Sequence, residues 1–149
     1  MPRPVPLTAL ALWLTLFALN AFPANDVYVR WEKSWNVATA RALAEGKPLI
    51  VDVWADWCAA CKEMDANLWN RPDVAETLNS QFVALKLDFT EESEESRRLA
   101  KDWNLGGLPA VGFYRDGDNF SSPPAKLFRE KVSHEVFLDA VLEIDRAKR

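Results

Sequence analysis

Leu49-Ile50-Val51-Asp52-Val53-Trp54-Ala55-Asp56-Trp57-Cys58-Ala59-Ala60-Cys61-Lys62 decides how the rest of the chain is read. Its first six residues are mostly apolar and β-branched, which suits a short strand buried on both faces. A helix from Cys58 to about Trp69 then follows a brief turn. A cysteine at the start of a helix meets free backbone N–H groups and the positive end of the helix dipole, and both favour its thiolate. The thiolate is the nucleophile of thiol–disulfide exchange, so a lowered pKa activates it near neutral pH. A second cysteine one turn later is placed to resolve a mixed disulfide.

Three other readings of the pair stay open at this point. A structural disulfide would close so short a loop that chain entropy contributes only about 2 kcal/mol. A structural zinc site normally takes four ligands, whereas the chain has two cysteines and a single histidine, His134, expected on the exposed first turn of the last helix. Two inert core cysteines are the third.

Outward from this stretch, strand and helix alternate. Ser34 is placed to cap a helix from Trp35 to about Glu45, with Ala38, Ala42 and Leu43 inward and Gly46 ending it. Pro72 can open a further helix through Leu78, and Phe82 to Asp88 reads as a second central strand. Thr90 is the expected cap of a helix that begins acidic (Glu91, Glu92, Glu94, Glu95) and ends basic (Arg97, Arg98, Lys101), with Glu94 and Arg98 as an i,i+4 pair. This charge run is a docking patch or a solvated helix face, and the second is the more ordinary reading. Pro109 opens a strand from Ala110 to Arg115, Asp116-Gly117 marks a turn, and Lys126 to Lys131 returns antiparallel. Ser133 caps the last helix, where Val136, Phe137, Ala140, Val141 and Ile144 form the inward stripe. The pattern is α/β, a mixed central sheet with helices on both faces.

The N-terminus differs in kind. One cation, Arg3, precedes an uncharged apolar stretch from Leu7 to Leu19, followed by small residues and the first acid, Asp26. This describes a secretory signal peptide over residues 1–24, cut after Ala21 or Ala24, ahead of one domain over 25–149. An uncleaved membrane anchor, which usually needs about 20 apolar residues, and a buried N-terminal helix are the alternatives. The segment has no cysteine, so it is not the leader of a lipid-anchored lipoprotein. A chain of 149 residues with 49% hydrophobic and 27% charged residues has the size and composition of one globular domain. Its net charge of -4 argues against nucleic acid as a partner. Export places the cysteines where pairs oxidise unless electrons are supplied.

The segment Val51 to Lys62 resembles the active-site segment of thioredoxins. It is more similar still to the periplasmic C-terminal thioredoxin-like domain of the transmembrane reductase DsbD, through Ala55-Asp56-Trp57-Cys58, Cys61-Lys62-Glu63, Pro72-Asp73-Val74 and Gly107-Leu108-Pro109. The resemblance runs from about Trp31 to Val141 and implies a thioredoxin-like fold and protein disulfide exchange. Under it Cys58 attacks and Cys61 resolves. Asp52 matches the family's buried acid, with a pKa raised by desolvation, and moves a proton at Cys61; the alternative is a strand-edge acid merely paired with Lys86. Pro109 matches the family's cis-proline, with Leu108 presenting backbone to an extended substrate; an ordinary trans proline is the alternative. Trp57 is an exposed apolar contact, and Trp54 belongs to the core.

Two departures qualify the match. The dipeptide is Ala59-Ala60 rather than Gly-Pro, so no redox potential carries over. Where thioredoxins keep a glycine before the last helix, this chain has Arg129-Glu130-Lys131-Val132, which either narrows the groove or recruits a charged partner. The resemblance implies no metal or other cofactor beyond the Cys58–Cys61 pair, protein disulfide substrates, and a membrane protein as electron donor. Contact with the membrane is expected only if the leader stays attached. A dithiol oxidase, a non-catalytic binding or chaperone-like module, and a membrane-tethered assembly factor are the competing functions.

Overall fold

A computed structural model of the chain describes residues 27–146. The expected leader over residues 1–24 lies outside the described residues, and no described helix is long and apolar enough to cross a membrane.

Five strands form one mixed sheet: β1 (Trp31–Glu32), β2 (Leu49–Trp54), β3 (Val83–Asp88), β4 (Ala110–Tyr114) and β5 (Lys126–Phe128). Their order is β1-β3-β2-β4-β5. The pairs β1–β3 and β2–β3 are parallel, while β2–β4 and β4–β5 are antiparallel. The expected class holds: this is a thioredoxin-like α/β fold, with β2 in the middle of its sheet.

The helices are α1 (Trp35–Glu45), α2 (Ala59–Met64), α3 (Pro72–Gln81), α4 (Glu94–Asp102) and α5 (His134–Arg146). A π-helical turn, Asp65–Trp69, continues α2. Because side chains alternate across a strand, β2 sends Ile50 and Asp52 to one face and Leu49, Val51 and Val53 to the other. The first face packs with Met64, Leu68, Trp69 and Phe137. The second packs with Ala38, Ala42, Leu99 and Trp103. Gly112 is required in β4, since a Cβ there would lie 2.5 Å from the Trp103 ring.

Local chemistry accounts for the ends. Gly46 closes α1 in the left-handed conformation at φ 57, where glycine has no Cβ to clash. At the other end of α1, Ser34 makes no side-chain cap. Leu43 is 61% exposed rather than inward, because it stands about 100° around the helix from the buried Ala38–Ala42 line. Val136 on α5 is exposed for the same reason, while Phe137, Ala140, Val141 and Ile144 form the buried stripe. Ahead of β1, the side chain of Asn79 accepts from Arg30 N–H and donates to Tyr28 O, both at 2.8 Å. It thereby clamps the incoming chain to α3.

The acidic helix starts later than expected. Ser93, not Thr90, caps α4, in a reciprocal capping box with Ser96. Arg97 reaches back to Glu92 at 3.5 Å. Thr90 is occupied elsewhere, at the site itself.

Candidate active site

The strand β2 ends at Trp54, and four residues later Cys58 is the N-cap of α2. Cys58 and Cys61 form a disulfide with Cα atoms 5.3 Å apart. Cys58 Sγ also accepts from the backbone N–H of Cys61 at 3.1 Å. This is the capping geometry that would favour a thiolate on Cys58 once the bond is reduced. Cys61 is turned inward at 2% exposure, and Cys58 at 5% presents an edge to the surface. Ala55, Trp54, Ala60 and Leu108 pack around the pair.

Two loops complete the rim. The Leu108–Pro109 peptide is cis, and Leu108 stands against the cysteines. Trp57 is 64% exposed, and its indole N–H donates to Thr90 O at 3.3 Å. The Thr90 hydroxyl accepts from Asp56 N–H at 3.0 Å, so one residue pins both positions ahead of Cys58. Between these loops lies a groove of about 420 Å³, lined in part by Trp57, Phe89, Arg97, Leu105 and Leu108. A Cβ at Gly106 or Gly107 would meet nothing within 4 Å, so this wall of the groove is open.

A charged cluster adjoins Trp54, which itself packs against the pair. Asp52 is 2% exposed and sits in register with Lys86 of β3. Lys86 Nζ is 3.0 Å from Asp52 Oδ2 and also binds Asp65 Oδ1. The same ammonium lies over the rings of Trp31 and Trp54, at 5.4 and 5.2 Å. Two carboxylates and two aromatic faces thus compensate one buried cation. Asp52 is paired with Lys86, but it stands in the central strand, not at a sheet edge. Burial pushes its pKa up to about 6, with Lys86 opposing that rise.

Of the six residues expected at the site, Cys58, Cys61 and Leu108 pack together, Trp57 and the cis Pro109 adjoin them along the chain, and Asp52 lies in β2 six residues before Cys58. Around them stand Thr90, Asp65 and Trp31, and Lys86 pairs with Asp52 as the sequence allowed. One signal for Asp65 was available in the sequence, because it falls four residues after Cys61 and so shares its helix face. Trp54 is half-buried beside the cysteines instead of deep in the core. His134, expected to be exposed, is half-buried, with Nε2 2.8 Å from Asp73 Oδ2. Of the stretch that replaces the thioredoxin glycine, Arg129 donates twice to Trp103 O, at 3.0 and 2.8 Å. Lys131 binds Glu63 of α2, and Val132 is buried. Most of these side chains are therefore engaged within the fold. Among the described residues no cluster of histidine, cysteine or carboxylate side chains is arranged to hold a metal.

This fold and a cysteine pair capping the first helix after the central strand define a thioredoxin-like domain with redox-capable cysteines. The thioredoxin-like family profile matches residues 30–115, and the chain belongs to that family. Among relatives, it is 39% identical over 91 residues to the thiol:disulfide interchange protein DsbD of Klebsiella pneumoniae, covering 61% of this chain and 15% of that protein. Against DsbD of Escherichia coli K12 the identity is 36% over 84 residues, 56% of this chain and 14% of that protein. The match therefore spans about one seventh of the length of these relatives. The C-terminal domain of Neisseria meningitidis DsbD in its reduced form superposes with a TM-score of 0.60 at 28% identity, over 72% of this chain and 91% of that one. A thioredoxin from Thermus thermophilus shares the fold, with a TM-score of 0.66 at 20% identity over 78% and 87% of the two chains.

Proposed function

We propose that the protein exchanges dithiol for disulfide with protein substrates outside the cytoplasm, working in the reductive direction. The observation that carries this reading is the placement of Cys58: bonded to Cys61, capping α2, and edged by the exposed Trp57 and the Leu108–Pro109 loop.

In the reduced protein the Cys58 thiolate attacks one sulfur of a substrate disulfide. A mixed disulfide forms and the other substrate sulfur leaves as a thiolate. Cys61 then gives its proton to the Asp52 carboxylate and attacks Cys58 Sγ. That step releases the second substrate thiolate and leaves the Cys58–Cys61 disulfide, so two electrons have passed to the substrate. With a pKa of about 6, Asp52 is mainly ionised at neutral pH and available as the base. Trp57, Leu108 and Pro109 form the surface over which an extended substrate segment lies. The groove beside Trp57 gives an apolar side chain of that segment a place to bind.

Two things support the reductive direction. One is the kinship with DsbD, whose resemblance implies a membrane protein as electron donor. The other is the dipeptide Ala59-Ala60, which offers no cation or side-chain donor to the Cys58 thiolate. Strongly oxidising pairs owe their potential to a stabilised reduced form. Equilibration with glutathione is expected to give a potential at or below about −200 mV; a value near about −120 mV, typical of a strong oxidant, would make the protein a dithiol oxidase instead. Export is supported by the signal-like composition of residues 1–24.

The direct test of the exchange reading is Cys61→Ser. Without its resolving thiol, the variant is expected to accumulate mixed disulfides through Cys58 with substrate proteins in the exported compartment. The Cys58→Ser/Cys61→Ser double variant serves as the blank. Absence of any Cys58-linked adduct would sink the exchange reading in favour of a binding module.

A further inference from the structure

Among the described residues two buried side-chain nitrogens lack a hydrogen-bond partner, Trp69 Nε1 and His134 Nε2. The His134 nitrogen lies 2.8 Å from the Asp73 carboxylate. Trp69 is buried, its ring edge-on to Trp31 and Phe137. It ends the π-helical turn whose first residue, Asp65, binds Lys86. It packs in the same layer as Ile50, Ala84 and Val111. By strand alternation that is also the face onto which Asp52 and Lys86 project. Its ring meets Trp31 edge-on at 5.4 Å, and Trp31 lies under the Lys86 ammonium.

A buried donor without an acceptor is a standing cost to the fold, so its retention calls for a physical reason. The nearest use is the carboxylate itself. Asp52 projects onto the sheet face against which Trp69 packs, and Nε1 is a donor there with no other partner. The other groups facing Asp52 are few. β3 supplies Lys86, the π-helical turn supplies Asp65, and β4 and α5 contribute the uncharged Val111 and Phe137. α2 brings the cysteine pair and Met64. Lys86 divides its charge between two carboxylates, so a second donor to Asp52 is not redundant.

We propose that Trp69 is a positioning residue for the exchange reaction: its indole N–H donates to the Asp52 carboxylate when that group is ionised and ready to accept the Cys61 proton. The catalytic significance rests on the role given above to Asp52, but the contact can be tested without it. In oxidised protein, the Asp52 carboxyl carbon followed by NMR against pH should titrate near 6 in the wild type. In Trp69→Phe, which keeps the ring and removes the N–H, the midpoint should rise, with a 3- to 10-fold smaller proton dissociation constant, on the order of a weak hydrogen bond to a charged group. A purely structural tryptophan would alter thermal stability and leave that midpoint in place. Should Trp69→Phe fail to fold, the wild type carries the test. The Trp69 Nε1–H resonance should shift with the same midpoint as Asp52 and lose that transition in Asp52→Asn. An unmoved midpoint in folded Trp69→Phe, or an indole resonance indifferent to pH, overturns the proposal. Unimpaired mixed-disulfide resolution in Asp52→Asn would remove only the catalytic role of Asp52.

Discussion

Cys58→Ser is expected to bring disulfide reduction of a protein substrate down to the rate of the added reductant alone. The loss should be at least about 10³-fold, because removing a covalent nucleophile leaves only binding behind. Serine is close in size, and a disulfide across so short a loop adds only about 2 kcal/mol to stability. The variant should therefore keep its fold, as circular dichroism can check. Cys61 should not stand in, since the helix N-cap position that favours a thiolate belongs to Cys58. Exchange surviving in Cys58→Ser would transfer the nucleophile to Cys61 and invert the assignment of the two sulfurs.

Asp52→Asn should have two effects of opposite sign. Exchange at pH 7 should slow by about 10²-fold, the lower end of what a positioned general base contributes. Stability should rise. The folded pKa of about 6 lies above the ordinary 3.8, so the native state holds this proton more tightly than the unfolded chain. Ionised Asp52 thus takes stability away as pH climbs from about 4 through about 6, and the deficit is constant above that. At about 1.36 kcal/mol per pH unit the gap amounts to about 3 kcal/mol. Asparagine, shaped like the protonated acid, escapes this cost, and Lys86 retains Asp65 as its counter-ion. Urea denaturation should find the variant more stable at pH 7.5 and equal to the wild type near pH 4. A variant less stable at pH 7.5 would mean that the Asp52–Lys86 pair contributes more than its burial costs.

The parts legible in the sequence are those governed by period and by local backbone chemistry. The apolar run of β2, the left-handed Gly46, Pro72 at the head of α3 and the stripe Phe137–Ala140–Val141–Ile144 all announce themselves that way. So does the cysteine pair, because its spacing and its place after a buried strand are local facts. What escaped is set by contacts distant in sequence. Ser93 rather than the expected Thr90 caps α4, and Thr90 is bonded instead to Asp56 and Trp57, more than thirty residues away. Trp69 reaches the Asp52 face of the sheet at the end of a π-turn, and no residue pattern in 65–69 signals that turn.

The clamp that Asn79 places on Tyr28 and Arg30 has a directional consequence. β1 runs parallel to β3, and β3 parallel to β2, so the chain enters the sheet at the end opposite the one where β2 delivers Cys58. Val27, the first described residue, lies toward that rear end. A tether on that side would point the cysteines away from its attachment, toward arriving partners, and cutting it would leave the reactive face unchanged.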